Sequence, residues 1–155
     1  MSMRESDVDH PGYRISELER IANNIFREGI VKEANYQEQR LRVQTEGILT
    51  NWIPWAKQRW HKDMSWWAPE IDEQVQIMSF SGDPSQGIVI FSLDRDMFPQ
   101  KADKPTIYRQ DFADGSYIRH DRETGETHVY ATGDLYLVGK NVRINPPDYV
   151  PIGFN

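Results

Sequence analysis

A mostly β protein in two parts is what this sequence predicts: a short helix, an OB-fold-like five-stranded barrel, and then a short trimeric β-helix. Three observations predict it. All five tryptophans, Trp52, Trp55, Trp60, Trp66 and Trp67, fall between Asn51 and Trp67, just ahead of two apolar strand-like runs. So much aromatic area in one place marks a folding nucleus or a contact surface. Five short strand patterns follow one helical pattern within about seventy residues, the proportions of a small antiparallel barrel. Past Pro105 the rhythm shortens to segments of about five residues separated by Gly-containing corners.

Residues 1–13 read as a flexible polar leader. Ile15, Leu18, Ile21, Ala22 and Ile25 then recur at helical spacing, and Ser16 with Glu19 has the form of a capping box. The apolar stripe is expected to lie on its own domain, with self-association as the other use of such a stripe. Gly29 ends the helical pattern. Ile30 to Ala34 and Leu41 to Thr45 read as a strand pair, the second alternating Leu41 and Val43 with Arg40, Arg42 and Gln44 so that one face is wet. Leu49 to Trp55 is a third strand, stopped by Pro54 and a charged aromatic loop that reaches Pro69. Val75 to Phe80 is the fourth, and Ile88 to Phe91, apolar on both faces, is expected inside. Between them Ser81-Gly82-Asp83-Pro84-Ser85-Gln86 supplies the permissive and the fixed backbone angles of a tight turn. An SH3-like barrel fits the same pattern and stays open beside the OB type. Helix and barrel together span 14–94.

Residues 95–105, with Pro99 and Pro105, read as a linker. In 106–145 five strands are expected, at Thr106 to Gln110, Ser116 to Asp121, Glu126 to Tyr130, Asp134 to Val138 and Asn141 to Ile144, with corners at Gly115, Gly125, Gly133 and Gly139. So few short strands have too little surface to bury a core of their own. Three copies wound about one axis would bury Ile118, Val129, Leu135, Leu137, Val142 and Ile144 together. In 146–155, Pro146-Pro147 cannot continue a paired strand, and Tyr149, Ile152 and Phe154 could close the end of such a helix as an apolar plug.

Composition excludes several functions. The net charge of −6 argues against a nucleic-acid binder, which needs a basic footprint; Lys57, Arg59 and Lys62 near the tryptophans are the only hint of one. With no cysteine there is no disulfide, thiolate zinc site or thiol nucleophile. His10, His61, His120 and His128 lack ligand spacing, and no metal or cofactor is expected. Asp111, Asp114, Asp121 and Glu123 could be imagined as hydrolytic carboxylates, but they sit in turn positions where acids are common, and no catalytic residue is assigned. Met1 to His10 has no apolar core of a signal peptide, so synthesis in the cytoplasm is expected.

The order of several short pieces resembles a known family. The helix Ile15 to Ile25 runs into Gly29-Ile30-Val31, followed by Leu41-Arg42-Val43-Gln44, Trp52-Ile53-Pro54-Trp55, Trp66-Trp67-Ala68-Pro69, Glu73-Gln74-Val75, Ser81 to Gly87, and Ala113-Asp114-Gly115-Ser116 ahead of Asp121-Arg122. In that order, across about Ser16 to Gly133, they resemble the baseplate assembly protein V family, the central tail spikes of contractile-tailed phages and R-type pyocins. The resemblance implies a homotrimeric spike in the tail baseplate of a virion or tailocin. Its barrel would dock on the tail hub, its β-helix would contact the target outer membrane transiently while piercing it, and no nucleic acid would be bound. Trp52, Trp55, Trp66, Trp67, Asp83 and Pro84 are the expected hub or assembly interface. Longer members carry a His-x-His pair that holds iron at the tip; here no histidine follows His128, so no tip iron is expected. A nucleic-acid or oligosaccharide-binding OB protein is the alternative, with the tryptophans as its stacking platform.

Overall fold

Strand β1 (Phe26–Asn35) organises the N-terminal part of the chain, because it pairs with two different strands along its length. In the computed structural model, which describes residues 11–83, 85–95 and 98–144, it is preceded by α1 (Pro11–Asn24) and followed by β2 (Arg40–Thr45), β3 (Ile48–Leu49), β4 (Gln74–Met78) and β5 (Ile88–Ser92). The first half of β1 lies antiparallel to β4, from Phe26 opposite Met78 to Ile30 opposite Gln74. The second half lies antiparallel to β2, with a register shift between Val31 and Glu33. Gly29 sits where the strand changes partner. A Cβ there would stand 2.6 Å from Val43 Cγ1 and 2.7 Å from the Gln44 carbonyl oxygen, so the close crossing needs glycine.

The sheet order is β3-β2-β1-β4-β5. Alternation decides its inner face: Leu41, Val43 and Thr45 of β2 are buried while Arg40, Arg42 and Gln44 are not. Val31, Leu41, Val43, Ile53, Trp55, Val75, Ile77 and Val89 form the core. Fully burying each such side chain contributes about 1.5–3 kcal/mol.

Three expectations change here. The sheet does not close into a barrel through a continuous ladder. The segment after β3 makes isolated contacts instead, Ile53 antiparallel with Leu41 on one side and Trp55 parallel with Val89 on the other. Pro54 between them has no N–H to extend a ladder and offers only its carbonyl, which accepts from Val89 N at 3.0 Å. Second, β5 is not enclosed: it is the last strand in the order, and Val89 is buried while Phe91 is 65 % exposed. Third, α1 begins at Pro11, inside the expected leader, so Ser16 lies within the helix and its hydroxyl donates to the Gly12 carbonyl at 2.9 Å rather than capping.

No residue of α1 is fully buried, and Ile15 and Leu18 of its apolar stripe are exposed. Its attachment runs through the 81–87 turn. Arg20 donates to the Gly82 carbonyl at 3.0 Å, and Gly82, at φ 64°, approaches so closely that a Cβ would meet Ile21 Cα at 2.7 Å.

The chain divides between Pro99 and Gln100 into two compact units. The second holds a meander of β6 (Ile107–Asp111), β7 (Tyr117–Asp121) and β8 (Glu126–Tyr130). Its turns use Gly115 at φ 90° and Gly125 at φ 71°. Residues 134–138 and 141–144, expected as strands, form none here, since within one chain they find no neighbouring strand to complete a ladder. Among the described residues this single chain therefore shows no β-helix. Pro84 and the tip residues Tyr149, Ile152 and Phe154 lie outside the described residues.

Candidate assembly surfaces

The loop that follows Trp55 separates the tryptophans by burial. Trp55 is 3 % exposed and belongs to the core, whereas Trp52, Trp60, Trp66 and Trp67 are about half exposed or more. The rings still form one group. Trp66 stands edge-on to Trp55 with centroids 5.6 Å apart and tilted against Trp60 at 6.2 Å. Lys57 Nζ sits between two of them, 4.4 Å from the Trp55 centroid and 4.9 Å from that of Trp60. Burial there, and then the charge of Arg40, hold the Lys57 ammonium below the usual lysine range. Arg59 is turned to Asp63 at 3.5 Å. The basic hint in the sequence is thus largely spent within the loop. On the sheet, Arg42 reaches Glu33 at 3.0 Å and lies 5.8 Å from the Trp52 centroid.

Of the residues expected at the interface, Trp52, Trp66 and Trp67 are on the surface and Trp55 is inside. Asp83 acts locally, since its carboxylate accepts from Ser85 N at 2.9 Å and Ser85 Oγ at 2.7 Å and so shapes the turn beside α1. Those bonds, with the more distant Arg20 charge, hold its carboxyl below the ordinary range. Sequence reading missed the exposed apolar residues Ile71, Phe91 and Phe98, which join Trp67 around two clefts of about 380 and 270 Å3. The composition of β5 concealed Phe91, because an apolar run does not say which strand is last in a sheet.

The meander presents two unlike faces. Ile118 pairs with Val129 across β7 and β8, and Gln110 lies beside Ile118 on β6. The opposite face is charged and aromatic. Arg109 and Arg119 face each other across the strands, and each is held by the aspartate two residues on, Asp111 and Asp121, both at 2.8 Å. Arg109 also lies 4.6 Å from the Tyr117 centroid, and Tyr117 stacks on Tyr130 at 5.4 Å. Beyond β8, Leu135, Leu137, Val142 and Ile144 are all more than half exposed, as is Val129. Ile118 is half-buried.

The carboxylates that could be imagined as hydrolytic are bound up in structure. Bonds from Arg109 lower the Asp111 pKa, bonds from Ser116 lower that of Asp114, and the Glu123 amide with Arg119 lowers that of Asp121. All three shifts oppose a proton-donating role. His120 Nδ1 shares a 2.8 Å hydrogen bond with Thr127, and His128 approaches Glu126 at 3.5 Å. Among the described residues no group of three or more His, Cys, Asp or Glu side chains is placed to hold a metal ion, and no helix is long and apolar enough to cross a membrane.

An open five-stranded OB-like sheet with a short helix at its start is the class that these features define. Residues 27–93 match the family model described as the type VI secretion system/phage-baseplate injector OB domain. The chain is also 33 % identical over 115 residues to the spike protein of Escherichia phage P2, an alignment that takes in 74 % of this chain and 54 % of that protein. Both matches support the baseplate assembly protein V family. It spans about half the length of that P2 relative.

Proposed function

We propose that this chain is a central spike of a contractile injection machine in a virion tail or tailocin, working as a homotrimer without catalysis. Residues 14–94 dock on the tail hub, 106–145 wind with two other copies into a β-helix, and the assembled needle pierces the target outer membrane, with 146–155 as a plug or a dock for a tip protein. One observation carries the reading: in the second unit no apolar side chain is buried among the described residues, while Val129, Leu135, Leu137, Val142 and Ile144 are exposed. Such an exposed apolar set, Val129 on β8 and the other four in the segment after it, calls for a partner. A threefold neighbour would supply strand pairing for 134–144 and cover the Ile118–Val129 face in one step. The acidic net charge and the internal pairing of Lys57 and Arg59 favour hub docking over the nucleic-acid alternative.

Native mass spectrometry on the purified protein tests the reading. The expected mass is three times 18.2 kDa. A monomer whose 106–144 segment is nevertheless protected from amide exchange would sink it. Tight binding of single-stranded DNA at physiological salt would promote the alternative.

A further inference from the structure

We propose that the open edge of β5, from Ile90 to Ser92, is a slot for an extended segment of a partner protein that carries apolar residues flanked by Lys or Arg. Among the described residues, β5 is engaged on its outer side at one residue. Ala56 N donates to the Val89 carbonyl at 2.7 Å and Val89 N donates to the Pro54 carbonyl at 3.0 Å, after which the chain leaves for the tryptophan loop. Among the described residues no strand lies beside Ile90–Ser92 on that side. What lies there is the cleft of about 380 Å3, walled by Trp55, Ala56, Trp67, Pro69 and Phe91. The second cleft, of about 270 Å3, shares Trp67 and Glu73 with the first and adds Ile71 and Phe98.

An open strand edge beside apolar clefts is the arrangement that strand addition uses: backbone pairing supplies affinity, and alternate side chains of the added strand fill the clefts. Solvent-exposed edges of this kind are otherwise a liability for pairing with the wrong chain. Charge selects the flanks of the occupant. Glu70, Asp72 and Glu73 line the second cleft. Lys32 pairs with Asp72 at 3.2 Å and Arg95 donates to the Asp72 carbonyl at 2.6 Å, whereas Glu70 and Glu73 have no Lys or Arg partner among the described residues. A basic flank is therefore attracted and an acidic one repelled. The slot lies in the first unit and does not depend on how the second assembles, so its test is separate from the trimer test.

The experiment titrates the full chain with three short synthetic peptides, followed by amide and indole chemical shifts: alternating Lys and Val, alternating Glu and Val, and the Lys–Val peptide N-methylated at alternate residues. The Lys–Val peptide is expected to shift the Ile90–Ser92 amides and the Trp67 indole. The Glu–Val peptide should bind about tenfold more weakly, the effect of two or three rim ion pairs, and the N-methylated peptide should not bind, because it cannot complete the ladder. Glu70→Lys should abolish the preference for Lys over Glu, and Phe91→Asp, at an exposed position, should remove binding. Equal binding of the three peptides, no binding by any, or shifts confined to other surfaces would overturn the proposal.

Discussion

Among the described residues the first unit buries eight apolar side chains and the second buries only Asp121. Both are built from short antiparallel strands with correct turn chemistry, so hydrogen bonding alone does not separate them. The difference is where apolar surface goes. In the first unit β1 pairs with β2 and β4, and the segment through Ile53 and Trp55 then crosses from β2 to β5, which gives one chain an inside. The second unit is one three-stranded layer, and among its described residues no further strand or helix covers it. A single sheet layer cannot form a core, since it must bury one face against a second element. The contrast separates a unit that buries its own apolar face from one that, among its described residues, does not.

Val129→Asp should break the contrast most severely. If three copies share a core, three carboxylates would enter it, and native mass spectrometry should show the assembly falling to the single-chain mass. The thermal midpoint of the first unit should not move. A trimer that survives the substitution would place Val129 outside the shared core.

Trp55→Ala probes the opposite side of the comparison. Removing this buried ring should cost the first unit about 3–5 kcal/mol in urea unfolding, with amide exchange in β6–β8 unchanged. An equal loss in both units would mean that they are one cooperative body.

A smaller effect should distinguish crowding from backbone conformation. Gly29→Ala meets Val43 and the Gln44 carbonyl and should cost about 1–3 kcal/mol. Gly125→Ala has open space around it, but at φ 71° it should still cost about 1 kcal/mol. Paired melting curves check the order, and a Gly125→Ala loss exceeding that of Gly29→Ala would contradict it.

Acid should produce the mildest change, and an uneven one. Asp111, Asp114 and Asp121 in the second unit, and Glu17 and Asp83 in the first, all have carboxyls held below the ordinary range by hydrogen bonds and nearby cations. A depressed carboxyl contributes stability that is present above its unfolded pKa of about 4 and is lost as pH falls through the folded value. The second unit, with three such groups against two, should therefore loosen first below about pH 4. Unit-resolved amide exchange against pH checks this, and earlier loosening of the first unit would refute it.

The local grammar was legible in the residues themselves. Alternation in Arg40 to Thr45 determined which side chains of β2 face inward, and the glycines at 115 and 125 determined the corners of the meander. Ile118 and Val129, picked out by alternation, do lie opposite each other on one face. The ordered short pieces also carried the family. Other properties were invisible because composition does not encode partners. Five tryptophans in one stretch look alike until Ile53 and Trp55 bridge two strands and draw a single indole inside. An apolar Ile-Val-Ile-Phe run reads as enclosed until the sheet order leaves β5 last. Sequence by itself determined periodicity and turn chemistry, since both are properties of neighbouring residues on the backbone. The tertiary structure alone decided which apolar residues became core and which were left as surface, because burial depends on what distant parts of the chain bring alongside.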